Sequence, residues 1–77
     1  MYLKPLLEIP INKKVKIKKI LIDGPIRRRL LDLGLIEDTV IEVLQKSPLG
    51  DPIAYSVRGA VIALRSEITS KILIEPV

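Results

Sequence analysis

The stretch that most constrains the fold is Ile53 to Arg65, in which two short alternating runs meet at a single glycine. The run IAYSVR is followed by AVIALR, with Gly59 between them. Apolar residues at every second position are typical of a β-strand with one buried face. Two such runs joined by so short a link predict a β-hairpin. The turn-forming cluster SPLGDP, residues 47–52, leads into this hairpin.

Three further segments have strand character. The run KVKIKKILI, residues 14–22, alternates lysines with apolar residues, and its apolar phase slips by one position after Lys18 and Lys19. Such a slip inside a strand predicts a β-bulge or a sharp bend. The run TVIEVLQK, residues 39–46, is β-branched and bounded by turns, and KILIEPV closes the chain. Together with the hairpin, these segments predict five strands.

Between the first two strands the sequence changes to a helical period. Gly24 suits an N-cap, Pro25 suits the first helical position and Gly34 suits the residue that ends the helix, so we expect a short helix over Ile26 to Leu33. Apolar residues spaced as i, i+4 and i+7 lie on one face of a helix, which we expect to be the buried one. The residues of this face are Ile26, Leu30 and Leu33.

These elements define the expected architecture. The segment SEITS, residues 66–70, predicts one helical turn with Ser66 as its N-cap. Five short strands, a helix after the first and a helical turn before the last predict an all-β fold built as a small, strongly bent antiparallel barrel. At 77 residues the chain is expected to form a single domain over residues 1–77.

Charge is distributed unevenly along the chain. Residues 1–30 hold nine basic and two acidic residues, whereas residues 31–77 hold four basic and seven acidic ones. A basic half is consistent with a nucleic-acid or acidic protein partner, or with a lysine-rich solvent face that protects an edge strand. Tyr2 and Tyr55 are the only aromatic residues. Base stacking and proline-rich peptide binding both need aromatic platforms, so neither is favoured.

The composition argues against catalysis and against a metal site. Histidine and cysteine are absent, so the chain lacks the usual general base, thiolate nucleophile and imidazole ligand. Its carboxylates are scattered and no glycine-rich phosphate loop is present. We therefore expect no enzyme activity, no cofactor and no bound metal. The absence of cysteine and of any apolar run longer than Ala60–Leu64 favours a cytoplasmic location without a membrane span.

Three motifs resemble the ferrous iron transport protein A (FeoA) family. They are LLDLGL at 30–35, SPLGDP at 47–52 and VRGAVIALR at 57–65, in that order. The resemblance extends from about Pro5 to Ile74 and implies an SH3-like barrel. It also implies a small cytosolic accessory to the membrane transporter FeoB, which carries a GTP-binding domain. The family usually has glycine at two turns where this sequence has Asn12 and Asp38, so we expect a positive φ at both.

The loop at 47–52 permits three interpretations. It is a plain turn in which Pro48 presets φ, Gly50 takes a positive φ and Asp51 bonds a nearby backbone N–H. Alternatively, it is a rigid binding element that carries the apolar side chain of Leu49 at its tip. In the third interpretation Leu49 folds back onto the core.

We expect a binding module with two contact surfaces, the helix at 26–33 and the loop at 47–52. Arg58 and Arg65 are expected on the outward phase of the two hairpin strands. The implied partner is the cytosolic GTP-binding domain or the pore region of a FeoB-type transporter, at the inner face of the membrane. The alternatives are a nucleic-acid-binding small barrel and an SH3-like module related to metal-dependent repressors. The candidate partner-binding residues are Arg27, Arg28, Arg29, Leu49, Gly50, Asp51, Pro52, Arg58 and Arg65.

Overall fold

The computed structural model describes residues 3–77, so residues 1 and 2 of the predicted domain lie outside the described residues. Within that range the chain forms six strands, a single 3₁₀ turn and two helices. The strands are β1 (Lys4–Pro5), β2 (Lys14–Ile20), β3 (Val40–Lys46), β4 (Ile53–Val57), β5 (Ala60–Leu64) and β6 (Ile72–Pro76). The 3₁₀ turn is Leu6–Glu8, and the helices are α1 (Pro25–Asp32) and α2 (Ser66–Thr69).

All strands pair antiparallel in one bent sheet, in the order β1-β6-β2-β3-β4-β5. The all-β class is confirmed, but the count of five strands is one short. The additional strand is β1, in which Lys4 lies opposite Ile74 and Pro5 opposite Leu73. A proline is tolerated here because β1 is an edge strand, where one side of the backbone needs no partner. Within residues 3–77 the other edge is β5.

Two bulges bend the sheet. The first lies between Ile17 and Lys19 of β2, where the pairing with β6 changes register, as the phase slip in the sequence predicted. The second lies between Val43 and Gln45 of β3, against β4. The sequence of β3 did not predict it. Each bulge adds local twist, which lets a sheet of short strands wrap around one core.

The core is formed by the inward phase of the strands. In β4 the buried and half-buried residues alternate without exception, as the sequence predicted. Leu30 of α1 and Leu35 after it close one side of this core. The buried apolar residues of the strands are Val15, Ile17, Ile41, Val43, Ile53, Tyr55, Val57, Leu64, Ile72 and Ile74.

Among residues 3–77, three non-glycine residues adopt a positive φ. Asn12 has φ 68° and Asp38 has φ 71°, which confirms the expectation for both turns. The third is Arg58, with φ 51°, followed by Gly59 with φ 84°. Two consecutive positive φ angles define the tight hairpin turn whose twist matches that of the strands it joins. The prediction that Arg58 and Arg65 lie on the outward phase of the hairpin strands is therefore wrong. Arg58 is the first turn residue between β4 and β5, and Arg65 follows the last residue of β5 as the N-cap of α2.

The helix ends agree with the sequence better than the helix faces do. Gly24 is the N-cap of α1, and Gly34 has a φ of 97° just after the helix. The expected buried face is wrong for two of its three residues, because only Leu30 is buried while Ile26 and Leu33 are exposed. In α2 the N-cap is Arg65, so Ser66 is the first helical residue rather than the cap.

Candidate protein-binding site

An apolar groove separates α1 from β5. Its volume is about 550 Å³. The side chains along its walls are unusually open for apolar residues: Val61 is 70% exposed, Ile26 is 49% exposed and Leu33 is 40% exposed. Below them the groove is lined by Leu30, Ile62, Leu64 and Ile68. Exposed apolar groups clustered along one groove are typical of an interaction site, whereas single ones are common on any surface.

The loop at 47–52 is closed by its own backbone. The N–H of Gly50 donates to the carbonyl oxygen of Ser47 at 2.8 Å, and the N–H of Ser47 donates to that of Pro52 at 3.1 Å. The Asp51–Pro52 peptide bond is cis. Leu49 is 93% exposed at the tip of this loop, so the interpretation in which it folds back onto the core is wrong.

Asp51 attaches this loop to the start of α2. Its Oδ1 accepts a hydrogen bond from the backbone N–H of Ser66 at 2.9 Å, and its Oδ2 accepts one from the Ser66 hydroxyl at 3.3 Å. The guanidinium of Arg65 lies 4.0 Å from Oδ2, in an exposed and therefore weak ion pair. Asp51 does bond a backbone N–H, as one interpretation of the loop proposed, but fifteen residues away in the sequence.

The three arginines of α1 have different environments. Arg27 donates from Nη1 to the carbonyl oxygen of Ile20 at 2.8 Å and, at 3.4 Å, to that of Ile22, which fastens the helix to the end of β2. Arg28 and Arg29 are exposed and make no hydrogen bond or ion pair with residues 3–77. Arg29 lies at the groove, so it is available to an incoming partner, whereas Arg27 is occupied by the fold.

The structure brings most of the predicted contact residues together. Arg65 lines the groove and also contacts Asp51 of the loop, so the helix surface and the loop surface meet at this residue. Arg58 lies apart from them. It sits at the opposite end of a hairpin of five-residue strands, roughly 17 Å from the loop end. There its side chain extends over Gly34, where a Cβ would lie 3.2 Å from the Cδ of Arg58.

The groove itself is not predicted by the sequence. Alternation in AVIALR puts Val61 at an outward position without showing that its strand is an edge, and the helical spacing of Ile26 and Leu33 predicts a buried face. A partial signal was present, because α1 carries apolar residues besides Leu30 and Val61 places a β-branched side chain at an outward position of β5.

The basic segment before α1 is partly neutralised. The ammonium group of Lys18 lies 2.7 Å from Oδ1 of Asp38, 3.9 Å from Glu37 and 3.8 Å from Glu75. The hydrogen bond between Lys18 and Asp38 raises the pKa of Lys18 and lowers the pKa of Asp38. A larger depression of about 790 Å³ nearby is lined by charges of both signs, including Lys19. This region therefore does not present one uninterrupted positive surface.

Tyr55 is the one large polar side chain in the described core. It is fully buried, and its hydroxyl has no hydrogen-bond partner among residues 3–77. Burial raises the pKa of the phenol. Tyr55 lines neither the groove nor the larger depression beside Lys19.

Residues 3–77 contain no group of three or more His, Cys, Asp or Glu side chains arranged to hold a metal ion. In the same range, no helix has the length and apolar character to cross a bilayer.

The fold and the surface together define a small SH3-like domain that exposes an apolar groove and an apolar loop tip. Among residues 3–77 its bent sheet is not closed into the full barrel that the sequence predicted, because β1 and β5 remain edges. The chain belongs to the FeoA domain family, because the sequence model of that family, described as FeoA domain, matches residues 4–76. The family resemblance and the SH3-like fold inferred from three short motifs are thereby confirmed.

Three comparisons illustrate the range of relatives. A fusion protein of Fe(2+) transport protein A and the Fe(2+) transporter FeoB from Porphyromonas gingivalis is 36% identical over 52 residues; these are 68% of this chain, which spans only 6% of that protein. The solution structure of a FeoA-like protein from Clostridium acetobutylicum is 35% identical, with a TM-score of 0.89, and covers 100% of this chain and 90% of its own. Stenotrophomonas maltophilia FeoA, solved with zinc and described as a prokaryotic SH3 domain protein, is 23% identical with a TM-score of 0.79, covers 91% of this chain and 87% of its own, and supports the fold alone.

Proposed function

We propose that this protein is a small accessory and regulatory protein of bacterial ferrous iron uptake, which binds the cytoplasmic side of a FeoB-type transporter. The observation that carries the proposal is the relative in which Fe(2+) transport protein A and FeoB are one polypeptide. Fusion holds two domains at a high effective concentration, which benefits partners whose contact is otherwise weak. A separate chain with the same partner needs a contact surface of its own.

The groove and the loop tip supply such a surface. The groove has open apolar walls, and the loop tip is 93% exposed. Burial of these apolar groups against a partner lowers the free energy of the complex. The exposed arginines beside them favour an acidic partner surface through charge complementarity. In this proposal the protein binds rather than catalyses, and it reaches the inner face of the membrane through its partner.

Regulation requires a difference in affinity between states of the transporter. A module that binds every state equally well shifts no equilibrium, however tightly it binds. We therefore propose that the protein binds one nucleotide state of the GTP-binding domain, or one state of the pore, more tightly than the other.

The test is an NMR titration of the ¹⁵N-labelled chain with the transporter's soluble GTP-binding domain, loaded with GDP or with a GTP analogue. Detergent-solubilised full-length transporter and a DNA duplex are titrated in parallel. We expect state-dependent shifts at residues 26–36, 47–52 and 61–68. Shifts with the full-length transporter alone would assign the contact to the pore region.

Two results would overturn the proposal. The absence of chemical-shift changes with both transporter preparations would exclude a FeoB-type transporter as the partner. Salt-sensitive shifts at residues 13–29 with DNA alone would replace it with nucleic-acid binding, because phosphate contacts weaken steeply as salt rises.

A further inference from the structure

One edge of the sheet has free backbone groups beside the apolar groove. Among residues 3–77, β5 pairs only with β4. The tight turn at 58–59 makes Val57 and Ala60 a hydrogen-bonded pair, and such pairs alternate along an antiparallel ladder. Ile62 and Leu64 therefore bond to β4. The N–H and C=O groups of Val61 and Ala63, which alternate with them, point away from β4 towards the free edge.

The groove lies directly along this free edge. Four consecutive residues, Val61 to Leu64, form one wall, and Ile26, Leu30 and Leu33 of α1 form the other. A strand placed in the groove would receive main-chain hydrogen bonds from β5 on one side and apolar contact from α1 on the other. Since side chains of a strand alternate between its two faces, every second residue of the occupant would face the apolar lining.

The charges at the groove indicate which side chains would suit the outward face of a strand bound there. Arg29 lies at the helix side and Arg65 at the end of β5, with Glu67 as the one acidic residue of the lining. Arg28 adds a further unpaired positive charge on α1. Acidic side chains at the outward positions of an added strand would lie near these guanidinium groups.

We propose that the groove binds an extended segment of the partner, with apolar and acidic residues in alternation, which pairs with β5 as a seventh strand of the sheet. This mode is β-strand addition, in which main-chain bonds supply affinity and alternate side chains supply specificity. The inference rests on the proposed function for the identity of the partner, a FeoB-type transporter.

A second copy of the chain fits the same edge poorly. β5 is flanked by Arg58 at its start and Arg65 at its end. Antiparallel pairing of two β5 edges would bring Arg58 of each copy towards Arg65 of the other, and like charges placed opposite one another are destabilising. Charged residues at an edge are a common means of preventing self-association. An acidic segment converts the same two charges into attraction.

The first experiment measures the free edge directly. Overlapping peptides of about ten residues, long enough to pair along an ordinary strand, are made from the cytosolic segments of the transporter. Hydrogen exchange of the labelled full chain is then followed with and without each bound peptide and with the full-length transporter. We expect Val61 and Ala63 amide exchange to slow by about tenfold or more on binding, while Ile62 and Leu64, already bonded to β4, change little.

The second experiment removes one donor. Ala63→Pro deletes an N–H that faces the free edge and leaves the bonds to β4 in place, a position where a strand tolerates proline. We expect binding to weaken by about tenfold. The matched control, Ala63→Ser, keeps the N–H and is expected to bind like the wild type. Leu49→Ser, in the loop, tests whether the loop tip contributes separately.

The outcomes separate the two proposals. Binding of the transporter without protection at Val61 and Ala63, or with Ala63→Pro equal to Ala63→Ser, overturns strand addition and leaves the proposed function standing. Failure of the wild-type chain to bind either the full-length transporter or any of its peptides overturns the function, and the inference with it. The exchange measurement uses wild-type protein, so a variant that fails to fold does not remove the test.

Discussion

Replacing Asp51 tests how the loop is held in place. Its carboxylate accepts hydrogen bonds from the backbone N–H and the hydroxyl of Ser66, at 2.9 and 3.3 Å. Asp51→Ala removes both acceptors and leaves the first N–H of α2 without a protein partner. A lost helix-capping acceptor costs about 1 kcal/mol, within a range of about 0.5–2. The longer hydroxyl bond and the exposed Arg65 pair, at 4.0 Å, add little.

We therefore expect Asp51→Ala to lower the free energy of unfolding by about 1–2 kcal/mol. In a domain of this size that corresponds to a fall in the melting temperature of roughly 4–15 °C. The control is Asp51→Asn, which keeps an oxygen at the position that meets the Ser66 N–H and loses only the charge. Its expected cost is below about 0.5 kcal/mol, because the helix is short and the carboxylate is partly exposed.

Two measurements test whether Asp51 holds the loop through its hydrogen bonds to Ser66. Denaturant unfolding gives the stability of each variant, and hydrogen exchange gives the protection of the Ser66 amide, which should fall in Asp51→Ala but not in Asp51→Asn. Equal stability of Asp51→Ala and the wild type would refute the capping argument, since water would then replace the carboxylate without cost. An Asn variant as unstable as the Ala variant would show that charge, rather than the hydrogen-bond geometry, holds the loop.

Three further substitutions test individual backbone and core features. Gly34→Ala should cost about 1–2 kcal/mol in denaturant unfolding, because φ is 97° and the new Cβ would lie 3.2 Å from Arg58 Cδ. Arg58→Ala added to Gly34→Ala should restore only the stability lost to the steric contact. Full recovery of the wild-type stability would exclude backbone strain. Tyr55→Phe should leave stability equal or raise it by about 1 kcal/mol, because it removes a buried hydroxyl without a partner. Burial raises the pKa of Tyr55, so the unfolded chain loses its proton first above pH 10.0, and wild-type stability should fall there more steeply than that of Tyr55→Phe; parallel pH curves would contradict this. Asp38→Gly should leave the melting temperature equal or slightly higher, because relief of a φ of 71° offsets the exposed ion pair with Lys18, and a clear fall would show that the ion pair is worth more than the strain.

Local signals in the sequence predicted much of the fold. Strict alternation located β4 and β5, and the glycine and proline positions located both ends of α1, because these signals depend on neighbouring residues alone. The bulge in β2 was visible as a phase slip for the same reason. The bulge in β3 was not, since Val43 and Gln45 change register only relative to the strand that they pair with.

The candidate site was predicted less completely than the fold. The loop tip and the arginines were chosen correctly as exposed residues, but their partners were not visible in the sequence. Asp51 bonds Ser66 across fifteen residues, and Arg27 is occupied by the carbonyl oxygen of Ile20. A spacing of i, i+4 and i+7 places residues on one helix face, but it does not state how much of that face the rest of the protein covers.

The sequence by itself determined the class of fold, the family, the turns with a positive φ and the absence of imidazole and thiolate chemistry. Each of these follows from residue identity and short-range pattern. Only the tertiary structure decided that β5 is an edge strand, that the apolar groups of α1 lie open beside it, and that Arg65 joins the groove to the loop. The physical reason is that exposure and free hydrogen-bonding groups depend on what packs against an element, and that is set by residues distant in the chain.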